Sequence, residues 1–313
     1  MRDMASNRGT LADWLIFVAL GVMWGSSYLF IMIGLDTLTP FTLVALRLAV
    51  GAALLVAVIA VARERLPRDL GTYGHLVVLS VLSIVLPFSL ITWAELAVAS
   101  SVASILVATV PLFVIVIAAG FLRDEPMTLN GVAGLAIGFA GVVLLTGRGP
   151  MSSDGGLLPV LALLGAAASY GAGGVYARRT VHHLRPMVPS VIQVVFGFAI
   201  STALAFAFER PLDLRPDGAA WLSILWLGVF GSGLAYLAFF RLLGTFGATR
   251  TSMVAYLMPV VGIVLGVAVA AEPIDLRMVA GTVLIIGGVA LVNTRYGRRR
   301  LFGRREVARG QAG

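Results

Sequence analysis

The chain has 313 residues, of which 59% are apolar and 12% are charged, and its formal net charge is +8. Such a composition leaves too little polar surface to cover a soluble globule, so lipid is the expected solvent and a soluble fold is excluded. The absence of cysteine excludes disulfides, thiolate nucleophiles and thiolate metal sites.

Ten apolar stretches are long enough to cross a bilayer core, which needs about 20 residues of helix. They are uniformly apolar rather than alternating, so they predict helices and not the strands of an outer-membrane barrel. The sequence therefore predicts an all-α membrane protein with ten transmembrane helices, at Trp14–Ile33, Pro40–Ala62, Gly74–Thr92, Ala97–Phe121, Thr128–Thr146, Leu157–Tyr176, Met187–Phe208, Ala219–Phe240, Thr249–Ala270 and Arg277–Asn293.

The two halves of the chain match at an offset of 146 to 148 residues. Each half holds five predicted spans, an odd number, so the second half enters the membrane inverted. Inverted repeats place a substrate site between them, near the middle of the bilayer, and are typical of transporters. The sequence predicts inverted repeats at 12–147 and 157–295 around a central cavity, and a basic tail at 296–313. Matching positions include Trp24 with Tyr170, Pro40 with Pro186, Arg47 with Gln193, Pro111 with Pro259 and Glu125 with Glu272.

The distribution of arginine predicts the orientation, because cytoplasmic loops retain positive charge. With the N-terminus inside, 18 arginines fall in cytoplasmic segments and four in external loops. Both termini are therefore predicted to be cytoplasmic, in a bacterial inner membrane. The arginine-rich tail is interpreted as a topology signal that contacts anionic lipid headgroups, and no nucleic-acid partner is expected.

Several segments resemble the drug/metabolite transporter superfamily, and more narrowly its bacterial EamA-type exporters. They are the start of the first span at Trp24–Tyr28, the opening of the second at Thr39–Arg47, and the block Ala99–Pro126 with its copy Gly247–Pro273. The similarity extends over roughly residues 12 to 295. It implies ten helices, cytoplasmic termini, a central cavity and export of small metabolites.

Aromatic and hydroxyl side chains recur on one face of several predicted spans. They are the candidate substrate-binding residues: Trp24, Ser27 and Tyr28 in the first span, Ser89, Thr92 and Trp93 in the third, Tyr170 in the sixth, and Ser232 and Tyr236 in the eighth. Aromatic residues also anchor spans at membrane interfaces, and this alternative stays open for Trp93, Phe239 and Phe240.

Arg47 is the one ionisable residue clearly inside a predicted span, about 10 Å below its external end. A charge in the membrane indicates a function, such as contact with an anionic group of a substrate, although a long arginine also reaches the interface by snorkelling. Gln193, its polar counterpart in the second repeat, is included in the predicted site.

No mid-span carboxylate is visible as a proton relay, so the energy coupling stays open. Glu95, just past the third span, is interpreted as a solvated loop residue, as are His75, His182 and His183. Without a His/Asp cluster, a Ser–Lys pair or metal-spaced ligands within the spans, we expect no catalytic residue, no metal, no cofactor and no enzymatic activity.

Prolines and glycines inside spans predict hinges, because they interrupt or loosen helical hydrogen bonding. The candidates are Pro87, Pro111, Gly231, Gly233 and Pro259. Paired glycines at Gly134 and Gly138 and at Gly262 and Gly266 indicate close helix packing inside a monomer.

These observations favour a secondary transporter that exports small metabolites, with amino acids, including aromatic ones, as the preferred substrate class. Two alternatives stay open: a broad-specificity drug exporter and a non-transporting membrane receptor or scaffold.

Overall fold

The computed structural model describes residues 10–64, 66–121, 129–146, 156–181, 183–185 and 187–293. Within these ranges the regular secondary structure is entirely helical. The predicted tail at 296–313 and His182 lie outside the described residues. The α-helices are α1 Leu11–Leu35, α2 Pro40–Ala62, α3 Leu70–Ser80, α4 Leu86–Ala94, α5 Ser100–Val107, α6 Val110–Phe121, α7 Leu129–Thr146, α8 Leu158–Thr180, α9 Met187–Phe208, α10 Gly218–Trp226, α11 Ala235–Thr251, α12 Leu257–Ala270 and α13 Leu276–Asn293.

The outer faces of these helices are apolar. Val143, Phe208 and Val283 are 69%, 73% and 63% exposed, and an apolar surface of this extent is suited to lipid rather than water. Seven described stretches are long and apolar enough to cross a membrane, and three shorter apolar helices lie at Leu129–Leu145, Val254–Ala270 and Leu276–Leu291. The chain is therefore an all-helical, multi-pass membrane protein. Each predicted span overlaps one of these helices.

One predicted boundary is wrong. The sequence places a loop between Phe240 and Thr249, but α11 continues to Thr251 and leads through a 3₁₀ segment, Ser252–Tyr256, directly into α12. The stretch contains Arg241, Thr245 and two glycines, which suggested a loop. It also lacks proline between Pro216 and Pro259, so every residue retains the N–H group that a helix needs.

Two spans contain π-helical segments, at Val81–Val85 and Leu227–Leu234. The first ends just before Pro87, whose missing N–H leaves the carbonyl of Ser83 without its helical donor. Hydroxyl groups of other helices bond the carbonyls of this segment: Ser169 Oγ donates to Leu82 O at 2.7 Å, and Tyr236 OH lies 3.5 Å from Ser83 O. This arrangement satisfies backbone groups that a membrane would otherwise leave unpaired.

The remaining predicted hinge positions also lie at helix irregularities. Gly231 and Gly233 are inside the second π-helical segment. A break at Ala108–Thr109 separates α5 from α6 just before Pro111, and the 3₁₀ segment stands just before α12, which contains Pro259. The helices therefore change their hydrogen-bond pattern at all three sites.

Glycines allow helix backbones to approach closely. A Cβ on Gly141 of α7 would lie 2.8 Å from the carbonyl oxygen of Gly281 on α13, and one on Gly288 would lie 2.5 Å from that of Gly134. Around the first and sixth spans, Gly25 packs against Val261 of α12, and Gly171 packs against Phe113 of α6. All of these contacts lie within one chain.

Carboxylates form hydrogen bonds or ion pairs at the ends of several helices. Glu209, after α9, accepts hydrogen bonds from the backbone N–H groups of Phe41 and Thr42 at the start of α2. Glu64, after α2, forms an ion pair of 3.0 Å with Arg185, just before α9. Each of these two packed helices is thus followed by a carboxylate that binds the beginning of the other. Glu272 similarly binds the first residues of α5, through Ser100 and Ser101.

Candidate functional site

Arg47 is buried between helices. It lies on α2 about 10 Å from the helix start, and only 3% of the residue is exposed. Its Nε donates a hydrogen bond of 3.3 Å to Ser232 Oγ, and its Cζ lies 4.2 Å from the centroid of the Phe88 ring. The guanidinium therefore points towards the eighth and third spans rather than to the membrane interface.

Arg47 has no ion-pair partner in the described part of the chain. Among the described residues, no carboxylate oxygen lies within the 4.0 Å of a salt bridge to it. A cation over an aromatic ring gains about 2 kcal/mol when desolvated, which is less than the cost of burying an unpaired charge. An anionic ligand bound to this guanidinium would therefore stabilise it.

Three tyrosines surround this guanidinium. Tyr28 of α1, Tyr170 of α8 and Tyr236 of α11 are close enough to interact with the Arg47 charge. Tyr236 packs in one buried cluster with Phe88, and Tyr170 packs against the same cluster. Three predicted residues from separate helices are therefore assembled around Arg47.

Ser27 and Gly231 complete the contact between α1 and the eighth span. A Cβ on Gly231 would lie 2.9 Å from Arg47 Nη2 and 3.0 Å from Ser27 Oγ. Glycine at this position therefore leaves the space that the guanidinium occupies.

A polar stripe runs along α4 and ends at Glu95. Ser89 Oγ, Thr92 Oγ1 and both carboxylate oxygens of Glu95 are buried and have no hydrogen-bond partner among the described residues. Phe88, Thr92 and Glu95 follow at i, i+4 and i+7, which places them on the same side of the helix as the Arg47 contact. Unpaired buried polar atoms are rare in proteins, and four of them on one stripe favour a polar ligand or water at this place.

The prediction that Glu95 is solvated is wrong. The sequence suggested a solvated loop residue because Glu95 follows an apolar span, but only 7% of it is exposed. Burial first, and the charge of Glu272 second, raise the pKa of Glu95 well above the usual range of a glutamate, while the charge of Arg47 opposes this rise. Glu95 is thus an interior carboxylate close to Arg47.

An aromatic cluster lies beside the site. The Trp24 ring stands edge-on to Tyr236, with centroids 6.4 Å apart, and lies 5.6 Å from the ring of Phe239. Trp24 and Phe239 are half-buried. This contact joins the first and eighth spans next to the Arg47 cluster. The side chain of Phe240 lies outside the described residues.

Trp93 and Gln193 are not brought into the Arg47 cluster or its aromatic neighbours by any described contact. Trp93 is 40% exposed, which agrees with the alternative of an interface anchor. Gln193 is buried, but its amide Nε2 donates to the carbonyl oxygen of Pro189 in its own helix.

His75, His183 and the cavity that His183 lines are remote from this cluster. His75 Nδ1 lies 2.8 Å from Tyr176 OH in an exposed contact. A cavity of about 600 Å³ is lined by Arg63, Glu64 and His183 among others. Arg63 is 16 residues, or about 24 Å of helix, from Arg47. In the described part of the chain, no group of three metal-ligating side chains forms a metal site.

The sequence analysis missed Phe88 and the burial of Glu95. Phe88 precedes Thr92 by one helical turn, so the helical spacing of the third span contained a signal for it. Glu95 gave a weaker signal, because a glutamate at the end of a span is usually solvated.

An all-helical membrane fold with a charged and aromatic interior defines the class of a membrane transporter. The model of the EamA-like transporter family matches residues 11–147 and 157–294. The chain belongs to this family, whose members are transporters and not enzymes.

Three relatives have similar sequences over most of their length. The uncharacterized transporter YoaV of Bacillus subtilis is 24% identical and is matched over 91% of this chain and 97% of its own. The uncharacterized inner membrane transporter YedA of Escherichia coli K12 is 28% identical, with 82% of each chain covered. The probable amino-acid metabolite efflux pump of Salmonella typhimurium is 25% identical, with 88% of this chain and 93% of its own covered.

A solved structure supports the fold. A protein crystal structure with 22% sequence identity superposes with a TM-score of 0.68 and covers 90% of this chain and 98% of its own.

Proposed function

We propose that this protein exports small metabolites, in particular amino acids including aromatic ones, by alternating access. The observation that carries this proposal is the buried Arg47, which has no carboxylate partner among the described residues. A guanidinium binds a carboxylate through two parallel hydrogen bonds, and a substrate carboxylate would supply the missing negative charge. Tyr28, Tyr170 and Tyr236 would contact an apolar or aromatic side chain of the substrate.

The same proposal includes ten spans in two inverted repeats, at 12–147 and 157–295, followed by the tail at 296–313. The glycine contacts between α7 and α13 support a two-fold relation. An offset of 147 residues converts Gly134 into Gly281 and Gly141 into Gly288. The same offset therefore relates the contact between Gly134 and Gly288 to the contact between Gly281 and Gly141.

Two further sets of contacts agree with this symmetry. The contact of Gly25 with Val261 corresponds to that of Gly171 with Phe113, at offsets of 146 and 148 residues. The π-helical segments of the third and eighth spans occupy equivalent positions at an offset of 148 residues. A pseudo-two-fold axis would place Arg47 near the interface of the two repeats.

For alternating access, we propose that the helix irregularities at Pro87, Pro111, Gly231, Gly233 and Pro259 act as hinges. The backbone there already departs from regular α-helical bonding, so reorientation breaks fewer hydrogen bonds. Arg47, Tyr28 and Glu95 are each less than a tenth exposed, so the conformation described closes the site to solvent. Movement of one repeat against the other would open it to either side.

We further propose an inner-membrane location with cytoplasmic termini and function as a monomer. The arginine distribution supports this orientation. The glycine-mediated packing within the chain supports the monomer, because the small-residue faces are already occupied. The partners are then the substrate and the lipid bilayer, without nucleic acid.

A second candidate is a broad-specificity exporter of cationic compounds, which the buried carboxylate of Glu95 favours. Arg47 opposes it, because a guanidinium repels a cationic ligand. Ethidium and phenylalanine therefore distinguish the two candidates.

The proposed function is tested by uptake into proteoliposomes across a panel of amino acids and ethidium. We expect saturable uptake of amino acids, with phenylalanine among the substrates, and weaker uptake of ethidium. If ethidium is taken up and no amino acid of the panel is, amino-acid export is rejected in favour of the second candidate.

A further inference from the structure

The polar stripe of Ser89, Thr92 and Glu95 contains four buried oxygen atoms without a hydrogen-bond partner in the described part of the chain. Two of them belong to the carboxylate of Glu95, which lies in the interior among Tyr28, Arg47 and Glu272. A buried carboxylate without donors is costly unless a proton or a cationic group neutralises it. Glu95 therefore needs either a proton or a cationic partner, and the described residues supply no such partner within hydrogen-bond distance.

We propose that Glu95 binds the ammonium group of the transported amino acid while Arg47 binds its carboxylate. This assignment rests on the amino-acid function proposed above and extends it to the second charged group of the substrate. It would place one zwitterionic ligand between Arg47 and Glu95, which are close in the interior but form no ion pair with each other.

The spacing along α4 fits a small zwitterion. Phe88, whose ring is covered by Arg47, precedes Glu95 by seven residues, or about 10 Å of helix. A substrate between them would form charge-assisted hydrogen bonds of about 2.8 Å at each end. Thr92 lies between Phe88 and Glu95 on the same face, and its unpaired hydroxyl adds a third polar contact.

Protons compete with the ammonium group for the same carboxylate. The surroundings of Glu95 are Glu272, which follows α12, Arg47 on α2 and Tyr28 on α1, while α8 brings Tyr170 to Arg47. Without substrate, burial and Glu272 favour the protonated form of Glu95. An ammonium group binds only to the ionised form, so the protein carries either the amino acid or the proton. Transport is thereby an exchange of an amino acid for H⁺.

Three phenylalanine analogues separate the two charged contacts. Phenylalanine has both groups, phenylalanine amide lacks the carboxylate, and 3-phenylpropanoate lacks the amine. In proteoliposomes, Glu95→Gln should lower the uptake of the two amines by roughly tenfold or more, because a buried charged hydrogen bond is lost. Uptake of 3-phenylpropanoate should change less than twofold.

The matched control is Asp213→Asn, which removes an exposed carboxylate in the loop after α9. It should leave the uptake of all three compounds unchanged. Equal losses of all three compounds in Glu95→Gln would overturn the ammonium contact and leave the proposed function intact. Absence of amino-acid uptake by the unaltered protein would instead overturn the proposed function, and the ammonium contact with it.

Proton movement gives a second readout that does not depend on the folding of a variant. Tight proteoliposomes of the unaltered protein, loaded with a pH-sensitive dye, should become alkaline inside when phenylalanine is added outside. Lowering the external pH should raise the KM for phenylalanine and leave the maximal rate nearly unchanged. Phenylalanine uptake without a pH change in the lumen would contradict exchange for H⁺ at Glu95.

Discussion

Arg47 on α2 and Ser232 in the π-helical segment of the eighth span are joined by a hydrogen bond of 3.3 Å from Nε to Oγ. Both residues are buried, and 185 residues of chain separate them. Ser232 thus orients the guanidinium from the opposite half of the protein, with Nε engaged and the terminal nitrogens left for a ligand.

The orientation of the Arg47 guanidinium by Ser232 can be tested by mutation. Ser232→Ala should lower phenylalanine uptake roughly tenfold, because a hydrogen bond to a charged group contributes about 1.5 kcal/mol. Ser201→Ala is the matched control, since Ser201 is equally buried and its Oγ has no partner among the described residues. Initial rates of uptake by both variants measure the difference, and equal rates would exclude Ser232 as a positioning residue.

The unpaired charge of Arg47 predicts a conflict between stability and function. Arg47→Met should abolish amino-acid uptake but stabilise the folded protein by roughly 1–3 kcal/mol, because a buried charge is replaced by an apolar side chain. Thermal unfolding in detergent tests this expectation by a higher melting temperature. Leu48→Met, at a fully buried neighbour, controls for the methionine itself. A melting temperature below that of the unaltered protein would show that Arg47 is already stabilised.

The glycine contact between α7 and α13 predicts a position-specific loss of stability. Gly141→Ala places a Cβ 2.8 Å from the carbonyl oxygen of Gly281, and backbone atoms cannot easily move away. The variant should lose roughly 1–3 kcal/mol of stability. Gly287→Ala is the control on α13, because nothing lies within 4 Å of its Cβ, and it should be neutral or slightly stabilising. Melting temperatures in the reverse order would contradict the close approach.

The proposed orientation predicts three reporter-fusion results. Fusions after Arg185 and after Arg298 should report the cytoplasm, and a fusion between Arg210 and Asp217 should report the outside, because arginine concentrates on the cytoplasmic side. The activity of a reporter that folds only outside the cytoplasm measures each location. If the fusions after Arg185 and in the Arg210–Asp217 loop reported the same side, the inverted arrangement would be wrong.

The sequence predicted the helices well because a bilayer imposes long, uniformly apolar segments. Helical spacing grouped Tyr28, Ser232 and Tyr236 in one candidate set, and the structure places all three close to Arg47. It failed at Glu95, because burial there depends on helices distant in sequence. It also placed a loop within α11, where an arginine and two glycines outweighed the absence of proline. The sequence contained only an indirect signal for the π-helical segments, namely Pro87 and the glycines on either side of Ser232.

The proposed contact between Arg47 and the substrate carboxylate is tested by a ratio of uptake rates. Initial uptake of phenylalanine and of phenylalanine amide is compared between proteoliposomes of the unaltered protein and of Arg47→Gln. Because the amide lacks the carboxylate, phenylalanine uptake should fall roughly tenfold or more while uptake of the amide stays within about twofold. The same fractional loss for both compounds would contradict the direct contact and make Arg47 a structural residue.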